Sequence, residues 1–300
     1  MNFKETLSEK TVQIEGILAR FLPEEQGFQK RVIEAMNYSI LAGGKRLRPM
    51  LMAETFRMFG GTGELVEPFM AAVEMVHNYS LVHDDLPAMD NDEYRRGRKT
   101  THVVYGEGMA VLAGDGLLNY AFETACFAFE KAQSPAEYEK VAQAMRVLAG
   151  KAGIYGMIGG QCADIEAEEH QEEVTEELLL FIHEHKTAAT IQCAMMIGAI
   201  LAGADREQVD AVEKCAYNIG IAFQIQDDIL DVTGSQEVLG KPVGSDEKNG
   251  KITYVTLYGL EKSAETVASL SKEAIQILTS FPERNLFLEQ LVEQLINRKK

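Results

Sequence analysis

The chain has 300 residues, a net charge of −17 and 46% hydrophobic residues, enough to bury a sizeable core. So acidic a balance excludes general binding to nucleic acid or stable insertion at an anionic membrane, since both surfaces would repel it. Seven prolines stand singly and no Ser/Gly/Pro-rich linker interrupts the chain, so one domain over residues 1–300 is expected.

The positive charge is concentrated at 45–48, 95–99 and 241–251. Basic spots in an acidic shell suit a small anionic ligand. Cys126, Cys162, Cys193 and Cys215 lack C-x-x-C spacing, and reduced, buried thiols in a cytoplasmic protein are expected. Met1 to Glu5 opens without the apolar core of a signal peptide. The longest apolar run, Ala194 to Ala204, is too short to span a bilayer.

Helical periodicity runs through nearly every segment. Residues 5–20 are amphipathic, and 28–42 repeat the pattern up to Gly43-Gly44, a helix stop. Pro49 can start a helix over 49–59 that ends at Gly60-Gly61. Residues 66–86 form a longer apolar helix with Pro68 in its first turn. Further helices are predicted at 106–132, 135–155, 175–203, 207–231, 262–279 and 283–297. No run of β-branched segments with hairpin turns interrupts them, so the fold class is all-α. The helices near 107–131 and 175–203 are long, and burial along most of their length is expected. Residues 232–253, punctuated by Gly234, Gly240, Gly244 and Gly250, read as a lid loop.

Two acidic clusters stand out. In the second, Asp227 and Asp231 share a helix face, with Asp228 about 100° round the helix. A solvated acidic face is the ordinary alternative for such a pair, but the flanks Ile219 to Ile225 and Ile229-Leu230 are apolar. In the first, Asp84 and Asp90 fall on different faces of a regular helix. Pro87 disfavours helical geometry at Leu86, so the chain is expected to loosen after Asp85 and let Asp90 swing back toward Asp84. Oxygen-only ligands suit Mg²⁺ or Mn²⁺, which would share a diphosphate's oxygens.

Cations flank both clusters. Gly43-Gly44-Lys45-Arg46-Leu47-Arg48-Pro49 sets a glycine pair and three cations at a helix start, a natural phosphate cradle. A solvated basic turn is its alternative. Arg95-Arg96-Gly97-Arg98-Lys99 is similar. His77 lies seven residues before Asp84, about 20° away on the helical wheel, and faces the same side.

These pieces, with Lys186-Thr187, Phe223-Gln224-x2-Asp227-Asp228-Ile229-Leu230-Asp231, Gly240-Lys241 and Gly250-Lys251, resemble the trans-isoprenyl diphosphate synthase, or polyprenyl synthetase, family. They lie in the family's order from about residue 40 to 255. The resemblance implies a bundle of long helices around a deep central cavity, a homodimer, and head-to-tail condensation of an allylic diphosphate with isopentenyl diphosphate. It implies Mg²⁺, three ions with Mn²⁺ as a substitute, held by Asp84, Asp85, Asp90 and Asp227. Gly44, Lys45, Arg48, His77 and Arg96 would bind isopentenyl diphosphate. Arg95, Lys186, Thr187, Gln224, Lys241 and Lys251 would serve the allylic substrate. The released diphosphate would take the proton.

An aromatic residue five positions before the first motif (Tyr79, beside Ser80) and the two-residue insert Pro87-Ala88 resemble bacterial farnesyl diphosphate synthases. Geranylgeranyl or longer-chain synthesis is the nearest alternative. A non-catalytic partner subunit would be expected to have lost aspartates, and both clusters are intact.

Overall fold

A computed structural model describes residues 2–233 and 251–296. In chain order it contains α1 (Phe3–Arg20), α2 (Lys30–Ile40), α3 (Leu47–Met58), α4 (Glu67–Asp84), a hairpin of β1 (Tyr94–Arg95) and β2 (Arg98–Lys99), α5 (Thr101–Tyr105) and α6 (Glu107–Lys131). There follow α7 (Pro135–Ala152), α8 (Met157–Glu169), a 3-10 turn (Gln171–Glu173), α9 (Glu176–Ile182), a π-helical segment (His183–Ala188), α10 (Ala189–Ala202), α11 (Arg206–Thr233), α12 (Tyr254–Ser280) and α13 (Leu286–Ile296). The class is all-α, as expected. Among the described residues, no helix is long and apolar enough to cross a membrane. The chain forms two compact units, Met1–Ala53 with Gly61–Arg146, and Glu54–Gly60 with Val147–Lys300.

In the first unit, α4 packs on α6. From Pro68 to Val76 every side chain of α4 is buried, so its apolar sequence has no polar face to lose. α6 meets it with a stripe of small residues, Ala110, Ala113, Gly114, Ala121, Ala125 and Ala128. Its other face carries exposed Val111, Leu112 and Phe127, so α6 is not buried along most of its length as its sequence suggested. The hairpin was not foreseen. It turns through Arg96 and Gly97, both with positive φ (53° and 74°), the geometry that matches strand twist in a two-residue loop.

In the second unit, α10 is buried from Ala189 to Leu201 and packs on α11, which packs on α12. Three expectations are corrected here. The helix placed at 175–203 is interrupted by the π segment, and α8 was missed altogether. α8 packs on the π segment at Gly160, where an added Cβ would lie 2.1 Å from the Lys186 backbone nitrogen. Finally, α12 starts at Tyr254 rather than at 262, secured by a Thr253–Thr256 capping box, and bends at Gly259 (φ 76°).

The cysteines are all free, but only Cys193 and Cys215 are buried; Cys126 and Cys162 lie on exposed faces of α6 and α8. The segment 232–253, expected to form a lid and carrying Lys241, lies outside the described residues except at its ends.

Candidate active site

The first unit gathers one group of cations. Gly43 and Gly44 have φ of 80° and 145°, and the turn they make leaves room for Arg96. A Cβ on Gly44 would lie 2.9 Å from the Arg96 guanidinium carbon, and Arg96 donates to the Gly43 carbonyl. Arg48 is half-buried and Lys45 exposed at the start of α3. His77 points into the same charge field. Burial, then Arg48, Arg96, Arg95 and Arg46, push its pKa well below the usual value, so the imidazole is neutral at physiological pH. Gly44, Arg48, His77 and Arg96 are thus drawn together.

Arg46 is different. It turns inward (φ 48°), pairs with Glu74 and donates to the Ile40 carbonyl at 2.7 Å. Asn78 donates to the Glu74 backbone carbonyl at 2.8 Å. One of the three cations of the basic turn therefore fixes the loop on α4 instead of facing a ligand. Glu74 was missed by sequence reasoning. The signal was a lone acid inside the apolar run Met70 to Val76, which requires a buried partner.

At the first acidic cluster the helix ends at Asp84, and the Asp90 amide donates to the Asp84 carbonyl at 2.8 Å. The chain does fold back after Asp85, as Pro87 led us to expect. Asp85 itself is buried and accepts from Arg95 Nε at 2.7 Å, with Arg95 Nη2 at 2.6 Å. Burial raises its pKa, against the pull of Arg95. Burial alone would lower the Arg95 pKa, but the bond it donates to Asp85 and the charges of Asp85, Asp92 and Asp84 leave it raised. Asp85 therefore orients Arg95, while Asp84 is half-buried and Asp90 exposed.

Below the first cluster, Tyr79 is 5% exposed, and its ring meets the His83 ring edge-on at 5.9 Å. Burial and the Asp84 charge push its pKa up to about 12. His83 lies against α6, its Nε2 3.1 Å from the Val111 carbonyl. Ser80 donates to the His77 carbonyl at 2.9 Å.

The second unit holds a cavity of about 100 Å³ lined by Asp164, Lys186, Thr187, Gln224, Asp228 and Lys251. Lys186, Thr187, Gln224 and Lys251 are thus brought together. Thr187 donates to Gln224 Oε1 at 3.0 Å, which leaves the threonine's lone pairs available. On α11, Asp227 is exposed and Asp228 is buried. Asp228 accepts from the Tyr254 amide at 3.0 Å, so it tethers the start of α12. His183 also lines this cavity; burial lowers its pKa to about 4.

Asp84, Asp90 and Asp227 offer only carboxylate oxygen, whereas Asp85, expected beside them as a metal ligand, is taken up by Arg95. Among the described residues, no group of three or more His, Cys, Asp or Glu side chains forms a protein-only cage. That donor chemistry fits Mg²⁺, which keeps several waters and is bound through one or two carboxylates plus substrate phosphates.

A family model described as polyprenyl synthetase matches residues 29–294, across both units. The chain is 41% identical to farnesyl diphosphate synthase of Escherichia coli K12, with the whole of both chains covered. It is 40% identical to geranylgeranyl diphosphate synthase of Cyanophora paradoxa over 97% of this chain and 95% of that one. A solved geranyltransferase from Helicobacter pylori, complexed with magnesium and isoprenyl diphosphate, superposes with a TM-score of 0.82 at 30% identity, covering 99% of this chain and 97% of that one.

Proposed function

Since the chain belongs to the polyprenyl synthetase family and is a prenyltransferase, we propose that it condenses geranyl or dimethylallyl diphosphate head-to-tail with isopentenyl diphosphate to give (E,E)-farnesyl diphosphate. The observation that carries this reading is the gathering of Arg48, Arg96 and neutral His77 around the Gly43-Gly44 turn. It is a metal-independent anion cradle. A cyclase that ionises one diphosphate has no use for it, but a condensing enzyme must hold a second.

Lys45 would join that cradle to fix isopentenyl diphosphate. Arg95, Lys186, Lys241 and Lys251 would bind the allylic diphosphate, Arg95 being set by Asp85. Mg²⁺, three ions held by Asp84, Asp90 and Asp227 with the substrate's own oxygens, would neutralise the departing diphosphate. As the allylic C–O bond breaks, Thr187 and Gln224 would turn oxygen dipoles toward the carbocation without trapping it. The isopentenyl double bond then attacks, and the released diphosphate takes the proton. Tyr79 and Ser80 would limit the chain to fifteen carbons. The relative from Cyanophora favours a second reading, a C20 product by the same chemistry.

The exposed apolar side chains Val103, Val104, Val111 and Leu112 on α5 and α6 support a homodimer. The acidic surface and free cysteines support a cytoplasmic enzyme. Mixing geranyl and isopentenyl diphosphates with Mg²⁺ tests the proposal. Diphosphate release with a C15 prenyl alcohol after dephosphorylation supports it; release without a longer prenyl chain overturns it.

A further inference from the structure

Asp164 was no part of the sequence-based site, yet it touches two of its cations. It lies on α8 and is 4% exposed. The Lys186 ammonium bonds to its Oδ2, and the Lys251 ammonium lies 3.0 Å from Oδ1 and 3.2 Å from Oδ2. We propose that Asp164 is a positioning residue that holds Lys186 and Lys251 side by side as a paired clamp for the allylic diphosphate. The proposal deepens the allylic-site reading above and rests on it.

Three elements converge to make the clamp, and each is fixed from behind. Gly160, one turn before Asp164, lets the α8 backbone rest on the Lys186 backbone. Asp228 captures the Tyr254 amide and so pins the chain three residues after Lys251. Without an anion between them, two ammonium groups would repel each other and spread. An ammonium has three donors, so each lysine can hold Asp164 and still donate to a phosphate oxygen. The lysine side chains are about one third exposed (32% and 33%) while that of Asp164 is 6% exposed, which gives the clamp a covered back and an open front.

The charged and titratable groups facing the lysines are Asp164 and Glu168 from α8, His183 from the π segment and Asp228 from α11. Burial pulls the Lys251 pKa down, but Asp164 and then Glu168 leave it raised. Burial likewise pushes Asp164 up, and the two lysines leave it below its usual range.

The test is steady-state kinetics of D164N and D164E across pH, on the full chain. D164N is expected to raise KM for the allylic diphosphate by about tenfold or more, as misplacement of binding groups does. KM for isopentenyl diphosphate stays at the parent value. The alkaline limb of kcat/KM moves to lower pH, because burial then acts on Lys251 with only Glu168 left to oppose it. D164E keeps the charge and so keeps the alkaline limb, but raises the allylic KM. Parental allylic KM in both variants overturns the proposal. Should the wild type show no prenyl transfer, the family-level reading of the reaction falls separately. Titration of the Lys251 ammonium by NMR then decides: a lowered pKa in D164N upholds the clamp, and an unchanged one overturns it.

Discussion

The guanidinium of Arg46 stands 2.9 Å from the carboxylate of Glu74, and both side chains are 2% exposed. Glu74→Gln leaves the buried Arg46 guanidinium with only the half-exposed Glu15, 3.6 Å from its Nε, as an ionic partner, so it is expected to cost up to about 3–5 kcal/mol in urea denaturation. Replacing both Arg46 and Glu74 with apolar residues of similar volume should cost far less. Because Arg46 ties down the loop carrying Lys45 and Arg48, Glu74→Gln should also raise KM for isopentenyl diphosphate more than KM for the allylic substrate.

Asp84 and Asp85 are neighbours with different tasks, and magnesium titration should separate them. Asp84→Asn is expected to raise the Mg²⁺ concentration needed for half-maximal rate. Asp85→Asn should leave that concentration unchanged and lower kcat by about 10²-fold, since Arg95 loses its anchor.

Tyr79 fills buried space against His83, and truncation would open it. Tyr79→Ala is expected to shift the product from C15 to longer chains, read by chromatography of the prenyl alcohols. An unchanged C15 product would sink the assignment of Tyr79 as the chain-length floor.

His77 and His183 both have folded pKa values below the unfolded value, chiefly through burial. The unfolded chain therefore binds more protons than the native one between the two values, and stability rises with pH there. Their contribution is present above about pH 6.5 and is lost on acidification, for His183 down to about pH 4. At about 1.4 kcal/mol per unit, His183 alone accounts for roughly 3 kcal/mol. Denaturant midpoints from pH 7 to pH 4 should fall, and fall less steeply in His183→Gln.

Much of the fold was legible because it follows local rules. The stop at Gly43-Gly44 and the return of Asp90 after Pro87 needed only backbone chemistry. The long apolar run of α4 announced burial on all sides. What was hidden depends on distant partners. Nothing local distinguishes Arg46 from Lys45 or Arg48; its inward turn is decided by Glu74, 28 residues away. Asp164 sits in a stretch with weak periodicity and two glycines, and its lysines come from 22 and 87 residues downstream. The π turn at His183 lies against α8, a long-range relation that helical periodicity does not report. Of the chemistry, residue types and order were readable; which acids face ligand and which hold a cation were not.

The π-helical segment has a hereditary consequence. A π turn accommodates one residue more than the α-helix around it, so 183–188 amounts to an insertion that the helix has absorbed. Removing any single residue there would restore a regular helix. The flanking helices would keep their register, because the extra residue is taken up within the turn, but the residues inside 183–188 would be redistributed round the helix face. Lys186 and Thr187 could then no longer meet Asp164 and Gln224 together. Single-residue deletions within 183–188 should thus leave the flanks in place but uncouple Lys186 and Thr187 from their partners, whereas deletions in α9 or α10 would rotate one flank by about 100° against the other.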